Sequence, residues 1–353
     1  MTEVTEQREK EQQVQEQEQS SLRKMQPHKG EPAGIKKASL IQRIITGAIF
    51  AFVMLAVVIF ASGTIVMPLF CILLAILGVR EFYRLVCPEM KKAPKIIGAV
   101  LASVMPLMAH FSLDTTFLKY PSCLVFSGWG TTHLGMAGAT TSSLSLAVSA
   151  VLIALLVYML WMAVTPDSKI ADIAASLFGA LYLGIPLMCF VLISAFSAMG
   201  SSILYGFPTL MIAIVVSIWA ADSFAYLGGS LFGRHKIAPI ISPKKSWEGL
   251  AAGILGAVLA WYLVYGIFDH IFDLAPAVFM GIIVSFTSLI GDLFQSRLKR
   301  EAGVKDSGTL LPGHGGVLDR FDSLLFTLPV VFLLVAILDK VFLLDFGVWL
   351  LLF

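Results

Sequence analysis

Blocks of apolar residues, each about as long as a bilayer is thick, constrain this chain more than any other feature of its sequence. Of its 353 residues, 58% are hydrophobic and 14% charged, whereas a soluble domain carries about 25% charged residues. A helix needs about 20 apolar residues to cross the hydrocarbon core. Backbone that crosses lipid must also satisfy its own hydrogen bonds, which a helix does. We therefore predict an all-α polytopic membrane protein with about nine transmembrane helices, near 41–61, 65–86, 96–112, 143–163, 172–196, 207–228, 249–268, 275–295 and 322–342.

Two regions differ in composition. Residues 1–38 are rich in Gln, Glu and Lys and contain almost no apolar residues. Such a segment cannot bury a core, so we predict a disordered cytoplasmic tail. Residues 39–353 form the transmembrane domain, which carries every candidate catalytic residue. Between two of its helices, a long loop near 113–142 is rich in Gly, Ser and Thr.

The positions of Lys and Arg predict how the helices are oriented, because these residues concentrate in cytoplasmic loops. With the N-terminus in the cytoplasm and the C-terminus outside, the inner loops are about 87–95, 164–171, 229–248 and 296–321. The N-terminal tail, these loops and the adjoining helix ends hold 23 of the 25 Lys and Arg residues. Two charged loops, 229–248 and 296–321, should therefore face the cytoplasm together.

Charged residues cluster between Gly291 and Asp322, at the inner ends of the last two predicted helices. Asp292 lies near the inner end of the eighth segment, where an unpaired carboxylate is costly and a functional role is the default interpretation. It could bind a metal ion with help from Ser296, which lies one turn further along the same helix face. The alternative is an ion pair with Arg297 or Lys299.

Asp319 and Asp322 are three residues apart at the start of the ninth segment, so a helix places them on one face. Carboxylates are also favoured at a helix N-terminus by the helix dipole, without any further function. Together with Asp292, Asp319 could hold Mg²⁺, which prefers oxygen ligands. In the preceding turn, PGHGG, His314 could contact a phosphate, transfer a proton or only cap the turn.

The other charged inner loop contains Lys244, Lys245 and Ser246, just before Trp247. These lysines could neutralise phosphates, or they could simply be attracted to anionic lipid. Asp222 lies deep in the sixth segment, where hydrogen bonds to nearby hydroxyl groups are the structural alternative to a functional role. At the end of the second segment, Glu81 lies beside Arg80 and Arg84 in the sequence. We interpret the three residues as structural, with Glu81 paired to its neighbouring arginines.

No phosphate-binding GxxxxGK[ST], dinucleotide-binding GxGxxG, HExxH or GxSxG motif is present in the sequence. Kinase-type phosphate cradles and hydrolase nucleophiles therefore have no support. The four cysteines are scattered without metal-ligand spacing, which favours apolar buried thiols.

The charged stretch has a specific pattern that runs over 27 residues. It reads Ser296-x-x-Lys299-Arg300-x4-Lys305-Asp306-x-Gly308-x-x-Leu311-Pro312-x-His314-Gly315-Gly316-x-x-Asp319-Arg320-x-Asp322. This pattern resembles the signature of the phosphatidate cytidylyltransferase (CDP-diacylglycerol synthase) family, in its bacterial form. GDLFxS before the signature, SPKKSWEG, and the element from Asp222 to Gly229 resemble further marks of that family.

The resemblance implies that CTP and phosphatidate react to give CDP-diacylglycerol and pyrophosphate. It also implies a Mg²⁺ requirement, a two-cation centre that includes K⁺, and a homodimer in the bacterial inner membrane with its active site facing the cytoplasm. No nucleic acid is expected as a partner. On this basis the metal ligands are Asp292 and Asp319. The expected substrate-binding residues are Asp222, Lys244, Lys245, Ser246, Ser296, Lys299 and Arg300. The expected catalytic residues are Lys305, Asp306, His314, Arg320 and Asp322.

Two other functions remain open at this point. Another CTP-using membrane enzyme, such as a polyprenol kinase, would transfer the γ-phosphate and release CDP. A secondary transporter would also carry carboxylates within the membrane, but such proteins usually contain internal repeats with interrupted helices. The sequence shows no repeat of that kind.

Overall fold

A computed structural model describes residues 33–119, 148–199, 208–268, 273–308 and 315–344. Contacts divide the chain into two units, Met1–Ile45 and Thr46–Phe353. The described part of the first unit is the beginning of one helix. The second unit contains the other elements and the whole candidate site.

The described residues form nine helices, one for each predicted segment. No helix end lies more than eight residues from its predicted position. In chain order they are α1 (Ala33–Ala61), α2 (Val66–Val86), α3 (Lys92–Lys119), α4 (Val148–Val164), α5 (Ile170–Met199), α6 (Thr209–Phe232), α7 (Trp247–Phe268), α8 (Leu274–Glu301) and α9 (Leu318–Leu344).

Six of these helices, α2, α3, α5, α6, α7 and α8, contain stretches long and apolar enough to cross a membrane. The segments Ile45–Ala61 and Val148–Val164 are apolar but shorter. Large apolar side chains are exposed, such as Phe52 at 75% and Phe60 at 81%, as expected for surfaces that face lipid. The chain is an integral membrane protein. The number of crossings and the sides of the two termini stay predictions.

Two predicted boundaries differ from those in the structure. The tail was expected to extend to residue 38, but α1 begins at Ala33. The loop predicted for 113–142 begins later, because α3 continues to Lys119. Residues 1–32, the rest of that loop from 120 to 147, and the apolar C-terminal residues 345–353 lie outside the described part of the chain.

A short antiparallel hairpin is the departure from an all-helical architecture among the described residues. It consists of β1 (Lys236–Ala238) and β2 (Ser242–Ser246), in a segment predicted to be loop. Strand β2 leads directly into α7, where Ser246 Oγ accepts a hydrogen bond from the Gly249 backbone N–H at 3.2 Å. This is the side-chain cap that helix N-termini favour. The hairpin thereby holds Lys244 and Lys245 beside the start of α7.

Small residues allow α6 and α7 to approach closely. A methyl group on Gly253 of α7 would lie 3.0 Å from the carbonyl oxygen of Ala221 and 3.2 Å from Cβ of Ala225, both on α6. Glycine and alanine at such contacts are typical of packed membrane helices, because they let backbones come together. The close packing positions Asp222, the neighbour of Ala221, beside the hairpin.

Glu81 of α2 holds the beginning of α9 in place. It is only 5% exposed. Its Oε1 accepts a hydrogen bond from Val317 N–H at 2.9 Å, and its Oε2 accepts one from Leu318 N–H at 2.9 Å. Ser307 Oγ donates to the same Oε2 at 3.1 Å. The first N–H groups of a helix have no intrahelical acceptor, and its dipole favours a carboxylate there.

The interpretation of Glu81 as the local partner of Arg80 and Arg84 was therefore wrong. Both arginines are exposed, while Glu81 is buried and turned toward α9. Its desolvated carboxylate is satisfied by N–H and O–H donors from residues more than 200 positions away in the chain.

We expect Glu81→Ala to destabilise the protein markedly. The substitution leaves the Val317 and Leu318 N–H groups buried without an acceptor, at a cost of about 1–3 kcal/mol for each group. Thermal unfolding of the detergent-purified protein should show a midpoint several degrees lower than that of the wild type. Glu89→Ala is the matched control, because Glu89 is exposed near the same end of α2. Equal midpoints for Glu81→Ala and Glu89→Ala would contradict this role.

Candidate active site

One cavity of about 400 Å³ is lined by seven of the fourteen predicted site residues. It is lined by parts of α6, β2, α7, α8 and α9. Four carboxylates and two ammonium groups face it, from Asp222, Asp292, Asp319, Asp322, Lys244 and Lys245. Ser246 contributes to the same wall. Residues from both charged loops and from the sixth segment therefore meet at one place.

Asp292 is paired with a lysine from the hairpin. Lys245 Nζ lies 2.6 Å from Asp292 Oδ2, and Ser296 Oγ donates to Asp292 Oδ1 at 3.2 Å. The predicted proximity of Ser296 and Asp292 on one helix face is confirmed. The ion pair considered as the alternative also exists, but its cation comes from β2 rather than from Arg297 or Lys299 on the same helix.

Asp319 accepts hydrogen bonds from residues at both ends of the connection between α8 and α9. Its Oδ1 accepts from Lys299 Nζ at 2.8 Å. Its Oδ2 accepts from the Ser307 N–H at 2.8 Å and the Gly316 N–H at 3.0 Å. It also lies 3.0 Å from the Ser307 hydroxyl oxygen, whose single proton it shares with Glu81. The Asp319 side chain is only 6% exposed. Asp319 thus has the capping role expected of a carboxylate at a helix start, in addition to any role toward a ligand.

The turn before α9 requires glycine next to Asp319. Gly315 has a φ of +80°, in the left-handed region that other residues seldom adopt. A Cβ there would also lie 2.6 Å from Asp319 Oδ2. The glycines of the HGG turn therefore allow the backbone to fold closely over this carboxylate.

Asp222, Asp292 and Asp322 line the same cavity, so negative charges on them would repel one another. Asp222 Oδ1 accepts from Ser288 Oγ of α8 at 3.3 Å, so its hydroxyl partner is on another helix rather than nearby on α6. Asp322 Oδ1 accepts from the Ser323 N–H at 2.7 Å. The cavity wall carries two more carboxyl groups than ammonium groups.

This donor set fits a hard divalent cation. Carboxylate oxygens are the ligands that Mg²⁺ prefers. Within the described ranges, no three acidic, histidine or cysteine side chains lie together as a complete metal site. That arrangement still suits Mg²⁺, which usually takes one or two carboxylates and completes its shell with water and phosphate oxygens.

Other predicted residues lie beside the cavity or away from it. Lys299 and Ser296 contact it only through the aspartates they bind. Arg300, Lys305 and Asp306 are exposed and do not line it. Arg320 lines a separate cavity of about 50 Å³, which Asp222 and Asp322 also border. His314 lies outside the described residues, so its role stays a prediction.

The structure adds residues that the sequence analysis did not select. Ser285 and Ser288 of α8 line the cavity, and the buried Ser285 hydroxyl has no hydrogen-bond partner in the described part of the chain. With Asp292 and Ser296 they form a polar stripe at helical spacing in an apolar segment, a signal that could have identified them. Ser307 and Glu81 carried no such signal, because their partners are distant in sequence.

Comparison with known proteins identifies the family of this chain. Residues 41–338 match the model of the cytidylyltransferase family. The phosphatidate cytidylyltransferase of Bacillus subtilis is 33% identical over 300 residues, which cover 84% of this chain and 97% of that protein.

Shorter stretches are more similar still. The phosphatidate cytidylyltransferase of Synechocystis sp. is 43% identical over 140 residues, or 37% of this chain and 46% of that protein. The enzyme of the same name from Thermotoga maritima is 43% identical over 133 residues, or 36% and 49%. In these two matches the chain spans about half the length of its relative. Because the family model and the Bacillus relative cover most of the sequence, the chain belongs to the cytidylyltransferase family.

Proposed function

We propose that this protein transfers the cytidylyl group of CTP to phosphatidate, which gives CDP-diacylglycerol and pyrophosphate for phospholipid synthesis. The observation that carries the proposal is the cavity at the ends of membrane helices, with four carboxylates and two lysines on its wall. One substrate is water-soluble and the other has acyl chains, so the reaction needs a polar site beside the membrane. The names and coverage of the relatives support the same activity.

The chemistry requires charge neutralisation more than covalent assistance. An anionic phosphate oxygen of phosphatidate attacks the α-phosphorus of CTP, a new P–O bond forms, and the bond to the β-phosphate breaks. The electron pair leaves with pyrophosphate. Because the attacking oxygen is already ionised, little general-base assistance is needed. The main barrier is the approach of two anions, which positioned cations lower.

Lys244 and Lys245 are the proposed phosphate-neutralising residues in the cavity. Lys245 is held by Asp292, which keeps its ammonium group in position. Lys299, held by Asp319, is proposed to serve in the same way at the other side. Roles for Arg300, Lys305, Asp306, His314 and Arg320 stay predictions based on the family resemblance.

Mg²⁺ is the proposed cofactor, with Asp292 and Asp319 as its protein ligands. When bound, it would neutralise nucleotide phosphate oxygens and the leaving pyrophosphate. Since Asp319 already accepts three hydrogen bonds, Asp222 and Asp322 are additional candidate ligands. The K⁺ ion, the homodimer, the bacterial inner membrane and the cytoplasmic orientation of the site remain part of this proposal.

One assay tests the proposed reaction directly. Purified protein is incubated with phosphatidate, Mg²⁺ and CTP labelled in its cytosine ring. We expect the label to appear in a CDP-lipid and pyrophosphate to be released in equal amount. Release of CDP with formation of a phosphorylated lipid would instead identify a CTP-dependent lipid kinase. CTP-independent uptake by proteoliposomes, without turnover of CTP, would identify a transporter.

Asp292→Asn should reduce the rate of cytidylyl transfer by about a hundredfold or more. The change removes the negative charge of a proposed metal ligand, whose loss costs several kcal/mol at the transition state. Asp273→Asn is the matched control, since Asp273 caps the opposite end of α8 through a hydrogen bond that Asn can also accept. Initial rates over a Mg²⁺ titration measure the effect. Near-normal turnover of Asp292→Asn at limiting Mg²⁺ would refute its assignment as a ligand.

Lys245→Gln should lower kcat/KM for CTP by about 10- to 100-fold, the equivalent of one charged hydrogen bond. Lys236→Gln provides the comparison, because Lys236 belongs to the same hairpin but does not line the cavity. Steady-state kinetics at varied CTP concentration distinguish the two variants. If kcat and KM for CTP were unchanged in Lys245→Gln, these lysines would only attract the protein to the anionic membrane surface.

A further inference from the structure

A second concavity lies between α2 and α3. It is a groove of about 660 Å³, larger than the acidic cavity. Ile72 and Ile76 of α2 and Ile96 and Val100 of α3 contribute to its apolar walls. The volume is within the range of about 300–1,000 Å³ that is usual for small-molecule sites. No residue lines both this groove and the candidate active site.

One end of this α2–α3 groove is strongly basic. Arg80 and Arg84, in the last two turns of α2, and Lys95, in the first turn of α3, all line it. No acidic residue does. Within the described ranges, neither arginine forms an ion pair, and Lys95 Nζ donates to the Pro88 carbonyl oxygen at 3.0 Å. Three positive charges therefore face the groove without a carboxylate to neutralise them.

The basic and apolar parts form one continuous surface. Residues 72, 76, 80 and 84 follow each other at four-residue spacing, so they lie along one face of α2. The wall beside them is fixed, because the hydroxyl of Tyr83 donates to the Ser176 carbonyl oxygen of α5 at 2.8 Å. Glu81 points away from this face, toward α9.

We propose that the α2–α3 groove binds an anionic phospholipid. Arg80, Arg84 and Lys95 would bind the headgroup phosphate, to which arginine can present two parallel N–H donors. The acyl chains would lie along the isoleucines and Val100. Basic pockets between transmembrane helices on the cytoplasmic side are suited to anionic headgroups, and loop 87–95 is predicted to be cytoplasmic.

This lipid differs from the reacting phosphatidate. The groove shares no residue with the acidic cavity, and its cations would repel the ammonium group of a zwitterionic headgroup while they attract a net negative one. A free phosphate ion would leave the apolar length of the groove unfilled. The charge and shape of the surface together therefore select a whole anionic lipid.

Native mass spectrometry of the detergent-purified full-length protein can test this proposal. Phosphatidylglycerol and phosphatidylcholine are titrated separately against the wild type and the Arg80→Gln/Arg84→Gln variant. We expect the wild type to bind one phosphatidylglycerol per chain at least about tenfold more tightly than phosphatidylcholine, and the double variant to lose that preference. The control, Lys92→Gln/Lys169→Gln, removes two exposed charges outside the groove and should retain the preference.

A second variant tests the apolar part of the groove with its charges intact. Val100→Trp should fill the groove and reduce phosphatidylglycerol binding about tenfold or more. Equal affinity for the two lipids in the wild type would overturn the proposal, as would undiminished phosphatidylglycerol binding by both groove variants. If those variants instead raised the KM for phosphatidate or dissociated a dimer, with lipid binding unchanged, the groove would be a substrate path or a contact between copies.

Discussion

The arrangement of this protein depends on the pairing of carboxylates at the ends of apolar helices. Lys245 and Asp292 connect the hairpin to α8, and Lys299 and Asp319 connect the end of α8 to the start of α9. A charge at such a place costs less when an opposite charge lies within hydrogen-bond distance. Both pairs are partly shielded from water, so their attraction is stronger than that of a surface pair. They bring three separate segments around one cavity.

The same pairing has a consequence for the proposed reaction. An ammonium group that is already held by a carboxylate is positioned before a phosphate arrives, so less ordering is needed on binding. The aspartates that hold these lysines are also the proposed cation ligands. Substrate phosphates and a divalent cation could therefore exchange places with the internal ion pairs while the charge of the site stays balanced. Stability in the absence of substrate and catalysis would then rely on the same side chains.

The end of α2 connects this site to the rest of the bundle. Its buried Glu81 accepts hydrogen bonds from Ser307 and the first residues of α9, and the backbone N–H of Ser307 donates to Asp319. On the other side of the helix, Arg80 and Arg84 face the α2–α3 groove. On one face of this part of α2, the Glu81 carboxylate is fully hydrogen-bonded within the protein. On the other face, the positive charges of Arg80 and Arg84 have no acidic partner among the described residues. The contrast shows why neighbouring charged residues in a sequence need not be partners.

The local pattern of apolar and charged residues in the sequence predicted much of this structure. Apolar length determined the existence and order of the nine helices, because a segment that cannot hydrogen-bond to water in lipid has to be helical. Charged residues within those segments marked Asp222 and Asp292, since a carboxylate is costly there, and the charged loop before the ninth segment marked Asp319. Tertiary structure alone decided which groups meet. Lys245 rather than Lys299 pairs with Asp292, and Glu81 reaches α9 rather than its own arginines, because spacing along a helix defines a face but not what packs against it.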